Sequence, residues 1–460
     1  MIEDKRPQPG LRRELGIWSA ASIVVGTVIG SGIFLVPQDM INAVGSPGLV
    51  FCVWIAGGLL SLFGALTYAE LSAAMPEAGG EYVYLREAYG PFWGFLYGWT
   101  QMWVAKAGSV ATLATAFFYY LANFRPELDG ILFVVRLPIG PGGGPLEVRY
   151  GQLLAMSVIL ILAVINYLGV KFGGGVQLAV TVAKVGLIAA IIAIGLGGGQ
   201  GSAANYASSI PVAGGVAGFF AALVGALWAY DGWNNVSMVS SEIRSPQRNL
   251  PIALIAGTAL VIAIYLLTNL AYFYVLPASE VAQSNRVAAD MMGRIFGSAG
   301  AGAVSIAAMV SIFAALNGSL LSGARVPYAM ARDGLFFRPL ARVHPEYGTP
   351  GVSILVLSAW SALLVLSGHF RQLYTYVVFA SWIFYGMTAV SVLVLRRKRP
   401  DMRRPYKAAG YPWVPVLFVL GSLGVVFFTL RQSPREALMG LGLIFLGLPF
   451  YFHWRRRFSC

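Results

Sequence analysis

The feature that most constrains this chain is a series of apolar stretches, each about as long as a helix that crosses the hydrocarbon core of a bilayer, roughly 20 residues. Hydrophobic residues make up 57% of the 460 residues and charged residues 11%, against about 25% charged in an average soluble domain. A backbone in lipid must satisfy its own hydrogen bonds, and stretches of this length do so as helices. The sequence therefore predicts an all-α polytopic membrane protein.

The apolar stretches also predict the topology. Twelve spans can be placed, roughly at 17–41, 48–72, 91–121, 151–168, 174–196, 215–240, 250–276, 297–322, 350–367, 372–395, 412–430 and 437–454. With the N-terminus inside, the inner loops hold 22 Lys and Arg and the outer loops hold 8, as the positive-inside rule expects. We therefore expect a multi-pass protein of the cell membrane with both termini in the cytoplasm. The first span lacks a cleavage-site pattern and should remain as a helix.

The first span is interrupted in mid-membrane by small and polar residues, GTVIGSGIF at 26–34. Glycines let a backbone unwind and approach a ligand closely. Unwinding would expose amide N–H groups near Ser31 and Gly32, where the start of a helix favours a carboxylate. The alternative is helix packing, because Gly26 and Gly30 form a G-x-x-x-G pair. The sequence leaves both interpretations open.

The sixth span is interrupted by WAYDGWNN at 228–235. An acidic side chain such as Asp231 costs roughly 2.5–3.5 kcal/mol to insert at mid-span and indicates function: it could receive a substrate amine or cap the broken helix. Trp228 could close over a substrate as a gate, although packing and interfacial anchoring are the commoner roles of a membrane tryptophan. Paired breaks favour a transporter binding site over a channel, whose pore is lined by rings or repeated carbonyls.

Other features argue against nucleic acid, metal or enzyme chemistry. The formal net charge of +13 follows the loops and forms no single basic face, so nucleic acid is not an expected partner. Cys52 and Cys460 offer neither a disulfide framework nor metal-ligand spacing, so no cofactor is expected. An intramembrane aspartyl protease would need a second membrane carboxylate beside Asp231, and Asp333 falls at a span end. We predict that the chain is not an enzyme.

The order of the spans suggests an internal repeat. Spans one and six each open a group of five and each is broken, and an odd number of spans makes the two groups opposite in orientation. The predicted organisation is a cytoplasmic segment at 1–16, a first five-helix repeat at 17–196, a second, inverted repeat at 197–395, and two additional helices at 396–460.

Six motifs together resemble one family. They are LRRELGIWSAASIVVG (11–26), GTVIGSGIF, PEAGGEYVYLREAYGP (76–91), WAYDGWNN, SSEIRSPQRNLP (240–251) and ALNGSLLSGARVPYAMARDG (315–334). The chain resembles the amino acid–polyamine–organocation (APC) superfamily, and within it the L-type amino acid transporters and their bacterial exchanger relatives. The resemblance runs from the N-terminus to about residue 395. It implies a LeuT-like 5+5 inverted repeat with helices 1 and 6 broken.

The resemblance also implies a substrate site between the two breaks. Its residues would be Val28, Gly30, Ser31, Gly32, Trp228, Asp231 and Asn234. An amino acid's carboxylate would meet Ser31 and Gly32, and its amine would meet the carbonyl groups of Val28, Trp228 and Asp231. Trp228 would be the gate, with Asn234 as a polar contact beneath it.

Two lysines lie inside predicted spans. Lys184 matches a lysine on the family's fifth helix whose ammonium takes the place of a sodium ion used by sodium-coupled relatives, so the resemblance implies sodium-independent transport. A buried lysine can also exchange a proton, which keeps proton coupling open, and snorkelling to the interface is the simplest alternative. Lys106 matches a basic position on the family's third helix, or serves as a structural partner of the loops.

Two departures from the family inform partners and substrates. Mammalian relatives carry a cysteine in the loop between spans three and four that links them to a heavy subunit. The corresponding loop here, about 122–150, contains no cysteine, so no disulfide-linked heavy subunit is expected. Asp231 replaces a glycine or serine of many members that carry neutral substrates and resembles members that also accept cationic amino acids.

The predicted function is a sodium-independent amino acid transporter, working as an L-amino acid exchanger for neutral and also cationic substrates by alternating access in the lipid bilayer. A proton-coupled symporter is the alternative. Four charged residues after the second span, Glu77, Glu81, Arg86 and Glu87, are expected to form a solvated cytoplasmic segment, although the resemblance makes them candidates for an inner gate.

Overall fold

The computed structural model describes residues 11–122, 124–136, 145–366 and 370–456. Cys460 and residues 1–10 of the predicted N-terminal segment lie outside the described residues. The α-helices are α1 (Ile17–Val28), α2 (Gly32–Val44), α3 (Pro47–Ala74), α4 (Glu81–Tyr89), α5 (Pro91–Thr100), α6 (Lys106–Leu121), α7 (Tyr150–Tyr167), α8 (Val170–Gly197), α9 (Gly215–Tyr230), α10 (Asn235–Met238), α11 (Pro246–Val275), α12 (Ala278–Gln283), α13 (Val287–Gly323), α14 (Arg325–Arg332), α15 (Gly351–Val365), α16 (Phe370–Lys398), α17 (Trp413–Gln432), α18 (Pro434–Phe445) and α19 (Gly447–Arg456).

A few shorter elements complete the described chain. The segment Gln101–Ala105 is π-helical and joins α5 to α6. Strands β1 (Ile131–Val135) and β2 (Leu146–Arg149) pair antiparallel between α6 and α7, with Ile131 opposite Arg149. Short 3-10 turns lie at Pro126–Asp129, Ala203–Ala207, Ser240–Glu242 and Arg338–Ala341.

The helices confirm the prediction of an all-α polytopic membrane protein. Each of the twelve predicted spans coincides with one helix or with two consecutive helices, as α1 with α2 and α9 with α10. In the described part of the chain, nine helical stretches are long and apolar enough to cross a membrane, and α9 and α15 are shorter apolar helices. The division into inverted repeats stays a prediction.

Local sequence accounts for where the helices begin and end. Gly45, with φ of 80°, ends α2 in a left-handed conformation that a side chain would disfavour. Ser46 then caps α3 by accepting a hydrogen bond from the amide of Leu49 at 3.4 Å, and Pro47 occupies the first turn. Within α13, Gly297 has non-helical angles, so the membrane-spanning part of that helix begins where the eighth span was predicted.

Burial places the first broken span in the centre of the bundle. In the most apolar window of Ile17–Val44, 89% of the residues are buried within the protein, against 28% for Trp413–Gln432. The first span is therefore surrounded by other helices, and α17 lies at the lipid-facing surface. A break in a helix is tolerable only in such a protein-lined position, because lipid cannot satisfy the freed backbone groups.

The start of α1 is tied to the segment that follows α10. We call this end of the bundle the inner end, after the predicted orientation, and the opposite end the outer end. The amide of Leu15 donates to the carbonyl of Glu242 at 2.9 Å, and the amide of Arg244 donates to the carbonyl of Leu15 at 2.8 Å. Leu15 and Ile243 thereby form a parallel bridge.

A buried ion pair joins that same segment to α14. The Nε of Arg325 lies 2.7 Å from Oε1 of Glu242, and Nη2 lies 3.0 Å from Oε2. Both side chains are at most 1% exposed. Two parallel charge-assisted hydrogen bonds of this kind fix orientation as well as distance.

Breaking the buried pair is expected to destabilise the protein strongly. Glu242→Gln should lower the free energy of unfolding by about 3–5 kcal/mol, because Arg325 stays buried without its carboxylate. Thermal unfolding of the detergent-solubilised protein measures this as a lower midpoint. The control is Arg399→Gln, which removes a pair with Glu87 in which Arg399 is 52% exposed and should change stability by about 1 kcal/mol or less. Equal shifts in the two variants would contradict the prediction.

Candidate substrate site

The first break is shorter than the motif that predicted it. Helix α1 continues to Val28 and α2 begins at Gly32, so only residues 29–31 are non-helical. Ile29 has ψ of 86°, which turns the chain out of the helix. The break leaves backbone groups at the end of α1 and at the start of α2 without a partner in their own helix.

The second break lies between α9, which ends at Tyr230, and α10, which begins at Asn235. Asp231 is extended, with ψ of 144°, and Gly232 has φ of 104°. A side chain at Gly232 would be strained there. The glycine beside the acidic residue is thus what allows the chain to leave the helix.

The two breaks face one cavity. Six of the seven residues assigned from the sequence line it: Val28, Gly30, Ser31, Gly32, Trp228 and Asp231. Its other lining residues are Thr27, Ser109, Leu113 and Ser319. Water can occupy about 10 Å³ of this cavity, the space of about one molecule. The helices must therefore move apart before a ligand larger than water can enter.

Two hydroxyl groups hold the breaks together. Thr27 Oγ1 lies 3.0 Å from the carbonyl oxygen of Gly232 and 2.6 Å from that of Ile23 in its own helix, so its single proton is shared between the two. The hydroxyl of Tyr265, on α11, lies 2.8 Å from the carbonyl oxygens of both Val28 and Ala229. The backbone at each break is therefore fixed relative to the other by side chains that were not predicted from the sequence.

The predicted amine-binding carbonyls are partly engaged. The carbonyl of Val28 accepts from Tyr265, and that of Trp228 accepts from the amide of Asp231 at 3.1 Å. A carbonyl oxygen has two lone pairs, so each of these oxygens can accept one further hydrogen bond.

Ser31 is the polar group of the first break that has no partner. Its side chain is 1% exposed, and its Oγ makes no hydrogen bond within the described residues. A buried hydroxyl without a partner costs free energy and calls for an explanation. Because Ser31 lines the cavity, a ligand there could supply the missing hydrogen bond.

The glycines of the first break serve packing as well as unwinding. A Cβ at Gly26 would lie 2.2 Å from Nε2 of Gln177, and one at Gly32 would lie 2.4 Å from Cα of Ala229. The packing alternative therefore applies to both glycines, and the approach of a ligand to this backbone stays a prediction. Gly26 lies within α1 and packs against α8, whereas Gly32 borders the cavity and packs against α9.

Lys184 occupies the end of α1. Its Nζ donates to the carbonyls of Gly26 and Ile29 at 2.5 Å each, and lies 3.5 Å from the carbonyl of Ser311 on α13. The side chain is fully buried, so the alternative that Lys184 snorkels to an interface is wrong. The ammonium satisfies carbonyl groups that the broken helix leaves free.

A buried polar network lies under the second break. The carboxylate of Asp231 accepts from Tyr385 at 2.8 Å, and Asn234 donates to Glu81. Lys106 Nζ donates to Asn235 Oδ1 at 2.6 Å. Buried charges of opposite sign compensate one another only when hydrogen bonds satisfy them in this way. The network therefore supports the non-helical backbone of the break.

This network corrects three expectations. Glu81 is fully buried and bonds the second break, so its assignment to a solvated segment was wrong. Asn234 is also fully buried and lies in the network, outside the cavity lining. Of the two roles left open for Lys106, the one as a partner of the loops is wrong, because its ammonium bonds Asn235 on α10. Arg86 and Glu87 are only partly exposed, and Glu77 is exposed.

The outer end of the cavity is closed by aromatic side chains. Trp228 stacks on Tyr374 of α16, with ring centroids 5.9 Å apart. The hydroxyl of Tyr374 donates to Asp39 of α2 at 2.9 Å. The three residues connect α9, α16 and α2, and Trp228 is 5% exposed. These contacts close the cavity on this side, and the role of Trp228 as a gate stays a prediction.

The inner end is closed by ionic contacts. Arg86 of α4 pairs with Asp333, which follows α14. The hydroxyl of Tyr82 donates to the same carboxylate at 2.7 Å. Burial is the main cause that raises the pKa of the Tyr82 hydroxyl, and the negative charge of Asp333 is the next. The hydroxyl therefore keeps its proton and remains a hydrogen-bond donor. Together with the Leu15–Ile243 bridge, these contacts close the bundle on the side opposite Trp228.

Sequence reasoning missed the cavity residues outside the two breaks. Ser109 and Leu113 come from α6 and Ser319 from α13. A serine in an apolar helix commonly bonds a carbonyl of its own helix, so its presence alone does not indicate a site. Tyr265 carries no sequence signal either, because a membrane tyrosine is usually an interfacial anchor.

Comparison with known proteins identifies the family. The model of the amino acid permease family matches residues 15–445. The serine/threonine exchanger SteT of Bacillus subtilis is 34% identical over 457 residues, which cover 97% of this chain and 98% of the relative. The human b(0,+)-type amino acid transporter 1 is 34% identical over 455 residues, 98% of this chain and 90% of the relative.

A more distant relative matches along nearly the same length. The human cystine/glutamate transporter is 29% identical over 444 residues, covering 96% of this chain and 85% of the relative. These matches confirm the predicted resemblance to L-type transporters of the APC superfamily, and they identify a transporter and not an enzyme. With its two broken helices facing one central cavity, the chain belongs to the amino acid permease family.

Proposed function

We propose that this protein exchanges L-amino acids across the cell membrane, without sodium, by alternating access. The observation that carries the proposal is that both breaks line one cavity in which the Ser31 hydroxyl has no partner within the described residues. An amino acid offers a carboxylate and an amine that are complementary to helix amides and backbone carbonyls. Relatives named as amino acid exchangers and transporters support the same function.

The substrate's charged groups would bind at opposite sides of the cavity. The carboxylate would accept from Ser31 Oγ and from the amide groups at the start of α2, where the helix dipole favours a negative charge. Gly30 and Gly32 would leave room for this approach. The amine would donate to the carbonyls of Val28, Trp228 and Asp231. Neutral amino acids carry both of the charged groups that these contacts require. The Asp231 carboxylate would also attract a positively charged side chain, so cationic amino acids would be a second class of substrate.

Alternating access would come from the two closed ends. Opening to the outside requires that Trp228 and Tyr374 separate and that Tyr374 leaves Asp39. Opening to the inside requires that Arg86 leaves Asp333. A substrate that bridges the breaks would favour the state closed at both ends, and release would follow on either side. In an exchanger, only the loaded protein makes this transition readily.

Sodium independence rests on Lys184. In the described structure its ammonium donates to the carbonyls of Gly26 and Ile29, which are oxygen ligands of the kind that a sodium ion needs. A fixed positive charge at that place would remove the requirement for the ion. Proton-coupled symport through the same buried amine was the alternative, and a relative named as an exchanger favours exchange over it.

We further propose a location and a set of partners. The protein would lie in the cell membrane with both termini in the cytoplasm, since the inner loops carry most of the Lys and Arg. It would work without a disulfide-linked heavy subunit, because the loop at about 122–150 has no cysteine. Its partners would be amino acids and lipid.

Counterflow in proteoliposomes tests the function. Vesicles without sodium, loaded with unlabelled amino acids, should accumulate labelled amino acids, and empty vesicles should not. Adding an inward proton gradient to empty vesicles is the second arm. Uptake that needs internal substrate supports exchange; uptake driven by the proton gradient would replace exchange with symport; no uptake of any neutral or cationic amino acid would overturn both.

The gate can be tested at Trp228. Trp228→Ala should slow translocation more than it weakens binding, because it removes the ring that stacks on Tyr374 and leaves the carboxylate contacts in place. The exchange rate and the apparent affinity from competition measure the two effects separately. Trp413→Ala, at a side chain that is 72% exposed, is the control. An unchanged exchange rate in Trp228→Ala would count against a gate.

A further inference from the structure

A second cavity lies at the inner end of the bundle, and its volume is about 340 Å³. It is bordered by α4 and the loop before it, by the turn after α10 and by α14. Pockets that bind small molecules usually measure about 300 Å³ or more. The inner cavity reaches that size while both ends of the bundle are closed. What we infer from it rests on the proposed function.

This cavity can be reached from the inner side. Glu77 and Arg332 are among its lining residues; the side chain of Glu77 is 60% exposed, and Arg332 is also exposed. Arg86 and Asp333, whose ion pair closes the inner end, belong to the same lining. A solute that enters from the inner side can therefore contact the closing pair before the central cavity opens.

The charged side chains of the lining carry both signs. Arg86 and Arg332 balance Glu77 and Asp333, so the formal charges sum to zero. Arg86 is bound to Asp333, and Glu77 reaches Arg86 only at 3.5 Å. Among the described residues, Arg332 forms no ion pair, and its guanidinium carbon lies 5.8 Å from the ring centroid of Tyr328. One cation and one weakly engaged carboxylate are thus available to a ligand.

A hydroxyl group of the same lining also lacks a partner. Ser240 Oγ donates to the carbonyl of Ser237 at 2.6 Å, and Glu242 pairs with Arg325. Ser241 lies between them and lines the cavity, and its buried Oγ has no hydrogen-bond partner within the described chain. A buried hydroxyl without a partner calls for an explanation. Rotation of this side chain towards the cavity would let a ligand provide the hydrogen bond.

We propose that this cavity is a second amino acid site, which receives substrates from the inner side and helps them to open the inner end. The α-carboxylate of an amino acid would pair with Arg332 and accept from Ser241, and its amine would pair with Glu77. A neutral amino acid carries one charge of each sign, and so matches a lining that offers both. An ion of a single sign would match half of it.

The bound carboxylate would also compete with Asp333 for Arg86. The hydroxyl of Tyr82 donates to Asp333 at 2.7 Å, so Asp333 would keep one partner when Arg86 turns to the ligand. A ligand shifts a conformational equilibrium towards the state that it binds better. An amino acid in this cavity would bind better when Arg86 has left Asp333, and would therefore favour separation of the pair that closes the inner end.

The test compares the two sides of the membrane. Intact cells expose the outer side and inside-out membrane vesicles expose the inner side; KM is measured on each, with the opposite side saturated, for the neutral amino acid that exchanges fastest. In Arg332→Gln/Ser241→Ala, we expect the KM on the inner side to rise about fivefold to tenfold, because an exposed charge contact and a hydrogen bond are lost. The KM on the outer side should keep its wild-type value.

Two further variants separate the cavity from general surface charge. Arg338→Gln removes an exposed arginine at the same end that does not line the cavity, and should leave both KM values unchanged. Arg332→Lys keeps the charge and should stay close to the wild type on the inner side. An equal rise in Arg338→Gln would overturn the inner site.

The result in the double variant separates the inner site from the proposed function. No change of KM in Arg332→Gln/Ser241→Ala, equal changes on both sides, or a change confined to the outer side would overturn the inner site while leaving amino acid exchange intact. Failure of the wild-type protein to exchange any amino acid would instead overturn the proposed function.

Discussion

Replacing Ser31 with leucine is expected to reduce amino acid exchange to the level of protein-free liposomes, while the protein still inserts into the membrane. Ser31 is 1% exposed and lines a cavity that holds about one water molecule. Leucine would remove the hydroxyl, fill the space in front of the amide groups of α2 and exclude a carboxylate. Overpacking of this kind also costs about 1–3 kcal/mol, which a membrane bundle with many helix contacts should tolerate.

Three measurements separate loss of the site from loss of the fold. Size-exclusion chromatography should give the same monodisperse peak as the wild type. Ser31→Ala, which removes only the hydroxyl, should raise the apparent KM and keep measurable exchange. Ser157→Leu makes the same substitution at an exposed position of α7 and should exchange normally. Wild-type exchange in Ser31→Leu would remove Ser31 and the start of α2 from the substrate site.

Replacing Lys184 with methionine is expected to reduce exchange by about tenfold or more. Methionine has a similar length but no donor, so the carbonyl oxygens of Gly26 and Ile29 lose the hydrogen bonds that Lys184 gives them. Each unpaired buried group costs about 1–3 kcal/mol, and 1.4 kcal/mol corresponds to about a tenfold change in an equilibrium constant. We therefore expect the end of α1 to move away from its present position against α13.

Counterflow with sodium and with choline in its place gives the readout. Wild-type exchange should be equal in both salts. If the ammonium stands where a sodium ion would bind, the variant should recover part of its exchange in sodium and none in choline. Lys407→Met, on an exposed lysine, is the control for loss of charge. Exchange at the wild-type rate by Lys184→Met in both salts would contradict any coupling or structural role for this lysine.

The sequence predicted those parts of the site that depend on backbone chemistry. Glycines beside hydroxyls at 26–34, and a glycine beside Asp231, indicated unwinding because few other residues permit it. The role of Lys184 was implied only by the resemblance to the family, since a charge in mid-span indicates function without saying which. The extent of the first break could not be predicted, because Gly26 and Thr27 have the same small and polar character as the residues of the break and yet lie within α1.

The parts that depended on tertiary packing were missed. Glu81 follows a short loop with two glycines and the charged residue Glu77, which is typical of a solvated segment, and only the position of α4 under the second break buries it. Ser109 and Ser319 are separated by 210 positions and meet only through the packing of α6 against α13. A serine that bonds its own helix and one that faces a cavity have the same local sequence pattern.

The bridge between Leu15 and Ile243 bears on how the inner end opens. If α1 tilted away alone, both backbone hydrogen bonds of the bridge would break, at a net cost of about 1–3 kcal/mol. If α1 and α10 moved together, neither would break. We therefore expect the two inner half-helices to move as one unit. The Glu242–Arg325 pair, which joins this unit to α14, would then have to separate or move with it during inward opening.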